Sequence, residues 1–159
     1  MRKLLVAAIL CCAFPASAQD SEKVDRLTTE SYQPVNIDEL KWMDAAALTS
    51  GAKIALVAGD PSKAEVFMLY LKMPADYVIL PHTHPFAEVI TVVKGRLASG
   101  VGETFDRDKV DMIDTGSSFI LPAKRAHYLW NDEETIVLLT ATGPWSVDYV
   151  NPKDDPRIN

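Results

Sequence analysis

The stretch Pro81-His82-Thr83-His84-Pro85-Phe86-Ala87-Glu88, running on through Val89-Ile90-Thr91-Val92-Val93-Lys94 to Gly95, decides how this chain is read. His82 and His84 are spaced i, i+2. On a strand, alternate side chains share a face, so both imidazoles project together about 7 Å apart along the strand. Glu88 has the same parity as His84. Pro85 has no N–H, so a bend is expected there. If the strand resumes at Ala87, Glu88 faces inward with Ile90 and Val92. The chain has three histidines, and the third is His127. It opens another apolar run after Pro122 and can supply a further ligand from across a barrel. A lone histidine is most often a surface or hydrogen-bonded core residue. Three of them, two at alternate spacing with a carboxylate in phase, is the pattern that metal coordination demands.

Outward from this stretch the texture is that of an all-β domain. Short runs rich in β-branched and aromatic residues alternate with Gly, Pro and Asp. They are Lys53–Ala58, Glu65–Met73, Tyr77–Pro81, Ala87–Val93, Arg96–Val101, Val110–Ile113, Ser118–Leu121, Ala126–Asn131 and Thr135–Thr142. Roughly nine strands at close spacing argue for a sandwich or barrel. No long helical pattern separates them, which argues against a parallel α/β sheet. Before the strands, Asp38 to Ala47 reads as one short helix. Asn36 or Asp38 would cap it, Leu40, Met43 and Ala47 would share a face, and Gly51 would end it. Residues 19–36 are polar and mixed in charge, a flexible lead-in. The barrel domain is placed at 37–150, and residues 151–159 form a polar tail.

The first 18 residues carry a basic start (Arg2, Lys3), an apolar run from Leu4 to Phe14 and small residues at Ala16-Ser17-Ala18. This is the pattern of a secretory signal peptide cut after Ala18. The run falls short of the roughly 20 apolar residues that span a bilayer. Periplasmic or secreted localisation follows as an expectation, with no membrane association after cleavage. Both cysteines, Cys11 and Cys12, leave with the signal, so no disulfide staples the mature chain. About 140 residues can fold on core burial alone. Arg2 and Lys3 also leave, so the 16 basic residues fall to 14 against 22 acidic ones, a net charge of −8. Nucleic acid and anionic membrane are poor partners for such a surface.

The motif residues resemble those of a known family. His82-Thr83-His84, three residues, Glu88, six residues and Gly95 resemble the first conserved motif of the cupins. Gly116, five residues, Pro122, four residues, His127, three residues and Asn131 resemble the second, about 20 residues further on. The match covers roughly Lys53 to Gly143. The resemblance implies a cupin-type jelly-roll β-barrel, which the short N-terminal helix read above would precede. It also implies one divalent transition metal ion (Mn, Fe, Ni, Cu or Zn) held by His82, His84, Glu88 and His127. Two positions depart from the family pattern. Asp76 and Lys124 stand where glycines are usual. Asp tolerates a left-handed backbone, whereas Lys there costs about 1 kcal/mol, or else the turn differs locally. A group of small secreted bacterial cupins is similar in wider context. They share a proline after the paired histidines, as at Pro85, and the segment Gly143-Pro144-Trp145.

Four protein ligands on an octahedral ion leave two positions open for water, dioxygen or a bidentate substrate. The leading expectation is a metal-dependent enzyme on a small organic substrate, with dioxygenase-type chemistry favoured over a lyase or isomerase. A non-catalytic metal-dependent binder of small molecules and a structural barrel are the alternatives. Tyr70 and Tyr77 are candidate catalytic hydroxyls, against the plainer reading of barrel-wall tyrosines. Lys124 and Arg125 can attract an anion, but a solvated turn is the plainer reading. Tyr128 and Trp130 have the opposite parity to His127 and face away from the metal. Asn131 fits a turn cap. Val89, Val93, Tyr128 and Trp130 make an apolar outer wall that the opposing sheet, the N-terminal helix or a second subunit must cover, and a homodimer is expected.

Overall fold

The computed structural model describes residues 26–158. The expected signal peptide and the first part of the lead-in lie outside the described residues. Within them, no helix is long and apolar enough to cross a membrane.

Among the described residues, eleven strands form two antiparallel sheets: β1 (Met43–Asp44), β2 (Lys53–Ala58), β3 (Val66–Met73), β4 (Val78–Thr83), β5 (Glu88–Lys94), β6 (Arg96–Val101), β7 (Asp111–Asp114), β8 (Ser118–Leu121), β9 (His127–Trp130), β10 (Thr135–Thr142) and β11 (Asp148–Tyr149). The larger sheet has the order β1-β2-β3-β10-β5-β8, and the smaller has the order β11-β4-β9-β6-β7. This is the expected all-β jelly-roll barrel.

The central strands show why. In β3, Phe67, Leu69, Leu71 and Met73 are buried, and the residues between them are less so. In β10 the same period of two buries Thr135, Val137, Leu139 and Ala141. β3 and β10 pair in unbroken register, from Thr135 opposite Met73 to Thr142 opposite Val66. Their inward rows meet Ile79, Leu97 and Leu129 of the smaller sheet in one core. Burying each such aliphatic side chain contributes about 1.5–3 kcal/mol.

The expected helix over Asp38–Ala47 does not form. Ile37–Glu39 make one 3-10 turn, capped by Asn36, whose side-chain oxygen accepts from the Asp38 N–H at 3.1 Å. The chain then straightens, and Met43 and Asp44 pair with Ile54 and Lys53. Lys53 closes an ion pair on Asp44 at 2.8 Å. Edge pairing on β2 wins over a weak helical preference in a segment too short to hold a helix alone.

Asp76 and Lys124 both adopt positive φ, 59° and 60°. The glycine conformation is therefore kept at both turns without the glycine. The Lys124 N–H donates to the carbonyl of His84 at 2.8 Å, which ties this turn to the first motif. Lys124 is exposed and strained. Lys124→Gly should raise stability by about 0.5–1 kcal/mol, with part of the gain offset by greater freedom in the unfolded chain. Urea unfolding would measure it, and a loss of stability would count against the strain.

Tyr128 and Trp130 do lie on the outer face of the smaller sheet, and the chain's own β6–β7 loop covers them. The β6–β7 loop folds across this face. Phe105 meets the Tyr128 ring edge-on at 5.3 Å, and the Arg107 guanidinium sits 4.8 Å over Trp130. Tyr128 is thereby only 1 % exposed. On the larger sheet, Val89 and Val93 stay 40 % and 38 % exposed, beside Ile120 at 69 %.

Candidate metal centre

His82 and His127 stand directly opposite each other on β4 and β9. A bulge between Ile79 and His82 makes this possible. It lets Ile79 point into the core and His82 point the same way, although their parities differ. His84 follows just past β4, and Glu88 opens β5 in the other sheet. The four side chains converge from both sheets and are all buried. Ring centroids lie 4.9 Å apart for His82–His84, 4.2 Å for His82–His127 and 5.1 Å for His84–His127. One ligating atom from each imidazole falls within 4.8 Å of the others, a cluster able to hold a metal ion. Glu88 Oε1 is 3.2 Å from His84 Nε2 and 3.4 Å from His127 Nε2.

Hydrogen bonding fixes which nitrogens face inward. His82 Nδ1 lies 2.8 Å from the Leu80 carbonyl, His84 Nδ1 2.6 Å from that of Ser146, and His127 Nδ1 2.9 Å from that of Arg125. A carbonyl only accepts, so each Nδ1 carries the proton and each Nε2 of the neutral ring presents a lone pair. Three lone pairs and a carboxylate then face one another with no donor among them. Glu88 Oε2 and His127 Nε2 are buried without a hydrogen-bond partner. Such a gathering is costly unless a cation, proton or metal, sits within it. The donor set, imidazole and carboxylate, suits first-row divalent metals.

The electrostatics agree. Burial, with the neighbouring His127 and His84, holds the His82 pKa down to about 3. Burial acts upward on Glu88, but hydrogen bonds and charge from His127 and His84, which those rings supply only with a proton on Nε2, more than offset it and lower its pKa to about 2. The folded protein thus resists protonating His82 far below the ordinary value of 6.5, while the unfolded chain does not. Metal-free stability should be complete above about 6.5 and fall as pH drops toward 3, by at most about 1.4 kcal/mol per pH unit from this group. Below about 4.5, Glu88 adds a loss of the same sign. Urea unfolding at several pH values would measure the slope, and His82→Gln should flatten it.

Other sequence candidates lie elsewhere. Tyr70 has the outward parity of β3, opposite to its buried neighbours. The Tyr77 hydroxyl is bound at Thr49, to the side chain at 2.8 Å and to its carbonyl. Neither hydroxyl reaches the cluster, because each belongs to a barrel wall or rim. Lys124 and Arg125 are on an exposed turn, where the Arg125 carbonyl, not its charge, serves His127. Asn131 is buried, donating to the carbonyls of Pro74 and Glu133 and so joining two loops. The residue the spacing argument missed is Trp145. Its ring stacks on His84, 4.5 Å between centroids and 19° between planes, and meets Phe67 edge-on. The Gly143-Pro144-Trp145 segment was its only trace in the sequence.

No curated protein matches this sequence. Solved structures share the architecture at low identity, which speaks for the fold alone. The polyketide cyclase RemF from Streptomyces resistomycificus superposes with a TM-score of 0.66 at 15 % identity, covering 80 % of this chain and 91 % of that one. An acetylacetone dioxygenase from Acinetobacter johnsonii gives 0.58 at 16 %, covering 76 % and 78 %. A cupin-superfamily sugar phosphate isomerase from Silicibacter pomeroyi gives 0.55 at 15 %, covering 70 % and 76 %. The family model described as "Cupin" matches residues 61–144, more than half of the sequence and both histidine motifs. The chain is a single-domain cupin.

Proposed function

We propose that this cupin is an exported metal-dependent enzyme that acts on a small organic substrate by oxygen-dependent chemistry. One divalent transition metal would be held by His82, His84, Glu88 and His127. The observation that carries the reading is the orphaned, donor-free set of buried acceptors at the cluster. When bound, the ion supplies Lewis acidity and, if it is iron, manganese or copper, a redox couple. The chain's own part is to hold three Nε2 lone pairs and a carboxylate in place through carbonyl bonds at each Nδ1, and to exclude bulk water by burial.

Metal-centred oxidation is preferred here to a lyase or isomerase reaction. The fold shared with an acetylacetone dioxygenase is consistent with this choice. The test is an oxygen electrode trace of the iron(II)-loaded protein with enolisable dicarbonyls, acetylacetone among them. Oxygen uptake that vanishes in His84→Ala supports the reading. Saturable binding of the same compounds without uptake would assign the barrel to ligand binding instead.

Export after cleavage behind Ala18 belongs to the same proposal and is checked by the mass of the protein from a periplasmic extract. A second copy of the chain is the proposed cover for Val89, Val93 and Ile120. Light scattering that returns a monomer mass at micromolar concentration would oppose it.

A further inference from the structure

A second feature of the barrel lies beside the histidine cluster and is separate from it. At the edge where β1, β2 and β3 face the segment leading into β11, a cavity of about 410 Å³ lies against the larger sheet. Leu69, Leu71 and Leu139, all buried, form its floor. Asp44, Ser62 and Arg157, all exposed, mark its rim. None of His82, His84, Glu88 and His127 lines it. Trp145 and Ser146 do, and these are the residues that stack on His84 and accept its Nδ1 proton. The cavity and the cluster therefore share one wall.

The chemistry of the cavity is one-sided. Its hydroxyl and charged side chains are already matched, and the unmatched polar atom among its lining residues is a single donor, the buried Trp145 indole N–H. Ser62 donates to Asp60 at 2.6 Å, and Ser146 to Asp148 at 3.0 Å. Arg157 is held by Asp155 through two contacts of 2.8 Å and donates to the Val147 carbonyl at 2.7 Å. Asp44 is paired with Lys53. An ion entering here would lose its water and find its counter-charge taken. An apolar molecule would instead gain from leaving water. Close-packed cores leave few voids larger than a water molecule, and apolar cavities of about 150 Å³ already take up benzene. The volume falls within the range of ligand pockets and suits a molecule on the order of ten to fifteen non-hydrogen atoms.

We propose that this cavity is a binding chamber for a small, uncharged, mainly hydrocarbon molecule, with Trp145 as the wall it shares with the histidine cluster. The chamber does not need the metal, so it stands apart from the functional reading above. The test uses metal-free protein, titrated by calorimetry with cumene and with benzoate as a charged aromatic of similar size. The indole N–H resonances are followed by NMR. Cumene should saturate at one molecule per chain and shift the Trp145 indole signal while leaving that of Trp130 in place. Benzoate should bind at least about tenfold more weakly. Leu139→Phe and Leu71→Phe, which fill the space, should each weaken cumene at least about tenfold. Two variants are used so that one misfolded protein, seen by near-ultraviolet circular dichroism, does not decide the matter. Absence of saturable cumene binding, equal binding of benzoate, or unchanged cumene affinity in a folded filled variant would overturn the proposal. Because no metal is present, failure here leaves the metal centre untouched, and failure of metal uptake leaves the chamber untouched.

Discussion

Glu88→Gln should bind zinc or manganese at least about a hundredfold more weakly than the parent protein, yet be as stable as the parent when metal is absent, or more so. The two halves of this expectation come from one arrangement. Glu88 Oε1 sits 3.2 Å and 3.4 Å from two imidazole Nε2 atoms, and its Oε2 is buried with no partner. In the neutral rings, the carbonyls at Nδ1 leave each Nε2 as an acceptor. A carboxylate facing acceptors inside a barrel is unfavourable without a cation. Gln has nearly the same shape and brings an N–H₂ that can donate to those nitrogens, so the metal-free fold gains about 1 kcal/mol. The cation site is then lost. Metal at a thousand times its dissociation constant raises the parent's unfolding free energy by about 4 kcal/mol, and Glu88→Gln should forfeit most of that. Calorimetric metal titration, with urea unfolding in chelator and in metal, measures both halves. Equal metal affinity would remove Glu88 from the ligand set. A loss of more than about 2 kcal/mol in chelator would mean that Glu88 stabilises the metal-free fold instead.

The grouping of these four residues was legible in the sequence because strand periodicity is exact. Parity and the Pro85 bend place His82, His84 and Glu88 together, and the second motif adds His127. The bulge after Ile79 was not legible. By strict alternation from Ile79, His82 would face out; only the spacing to His84 and the family motif placed it inward. The carbonyls that orient the rings come from Leu80, Ser146 and Arg125, and a backbone acceptor leaves no mark in residue identity. Trp145 was visible as part of a recurring segment, but its stacking on His84 spans 61 positions of chain and depends on the whole sandwich. The helix expected over Asp38–Ala47 failed for the opposite reason. Its local pattern was real, but β2 offered Met43 and Asp44 better partners. Tyr128 shows the limit of parity: its direction was right, but the loop that buries it carries no periodic signal at all.

That loop underlies the second large effect. Gly100→Ala should destabilise the protein by about 3 kcal/mol and weaken metal binding with it. Gly100 on β6 pairs with Tyr128 on β9, and the tyrosine ring lies flat across the space a side chain would need. A Cβ at Gly100 would stand 2.2 Å from two ring carbons and 2.5 Å from the hydroxyl oxygen. The ring has little room to yield. Its hydroxyl donates toward the carbonyls of Asp106 at 3.1 Å and Lys109 at 3.0 Å, and Phe105 closes it in. Relief therefore has to come from a shift of the loop or of β9. A shift of β9 moves His127, the neighbour of Tyr128, away from His82 and Glu88. Tyr128→Val would open the space at the cost of its own packing, so the two changes should be strongly non-additive. Gly100→Ala placed on Tyr128→Val should cost less than about 1 kcal/mol. Urea unfolding of the four proteins in the cycle, with metal affinity measured alongside, checks this. Additive losses would mean that the ring does not hold the strand. A destabilised Gly100→Ala with undiminished metal affinity would mean that the loop yields and His127 stays where Arg125 holds it.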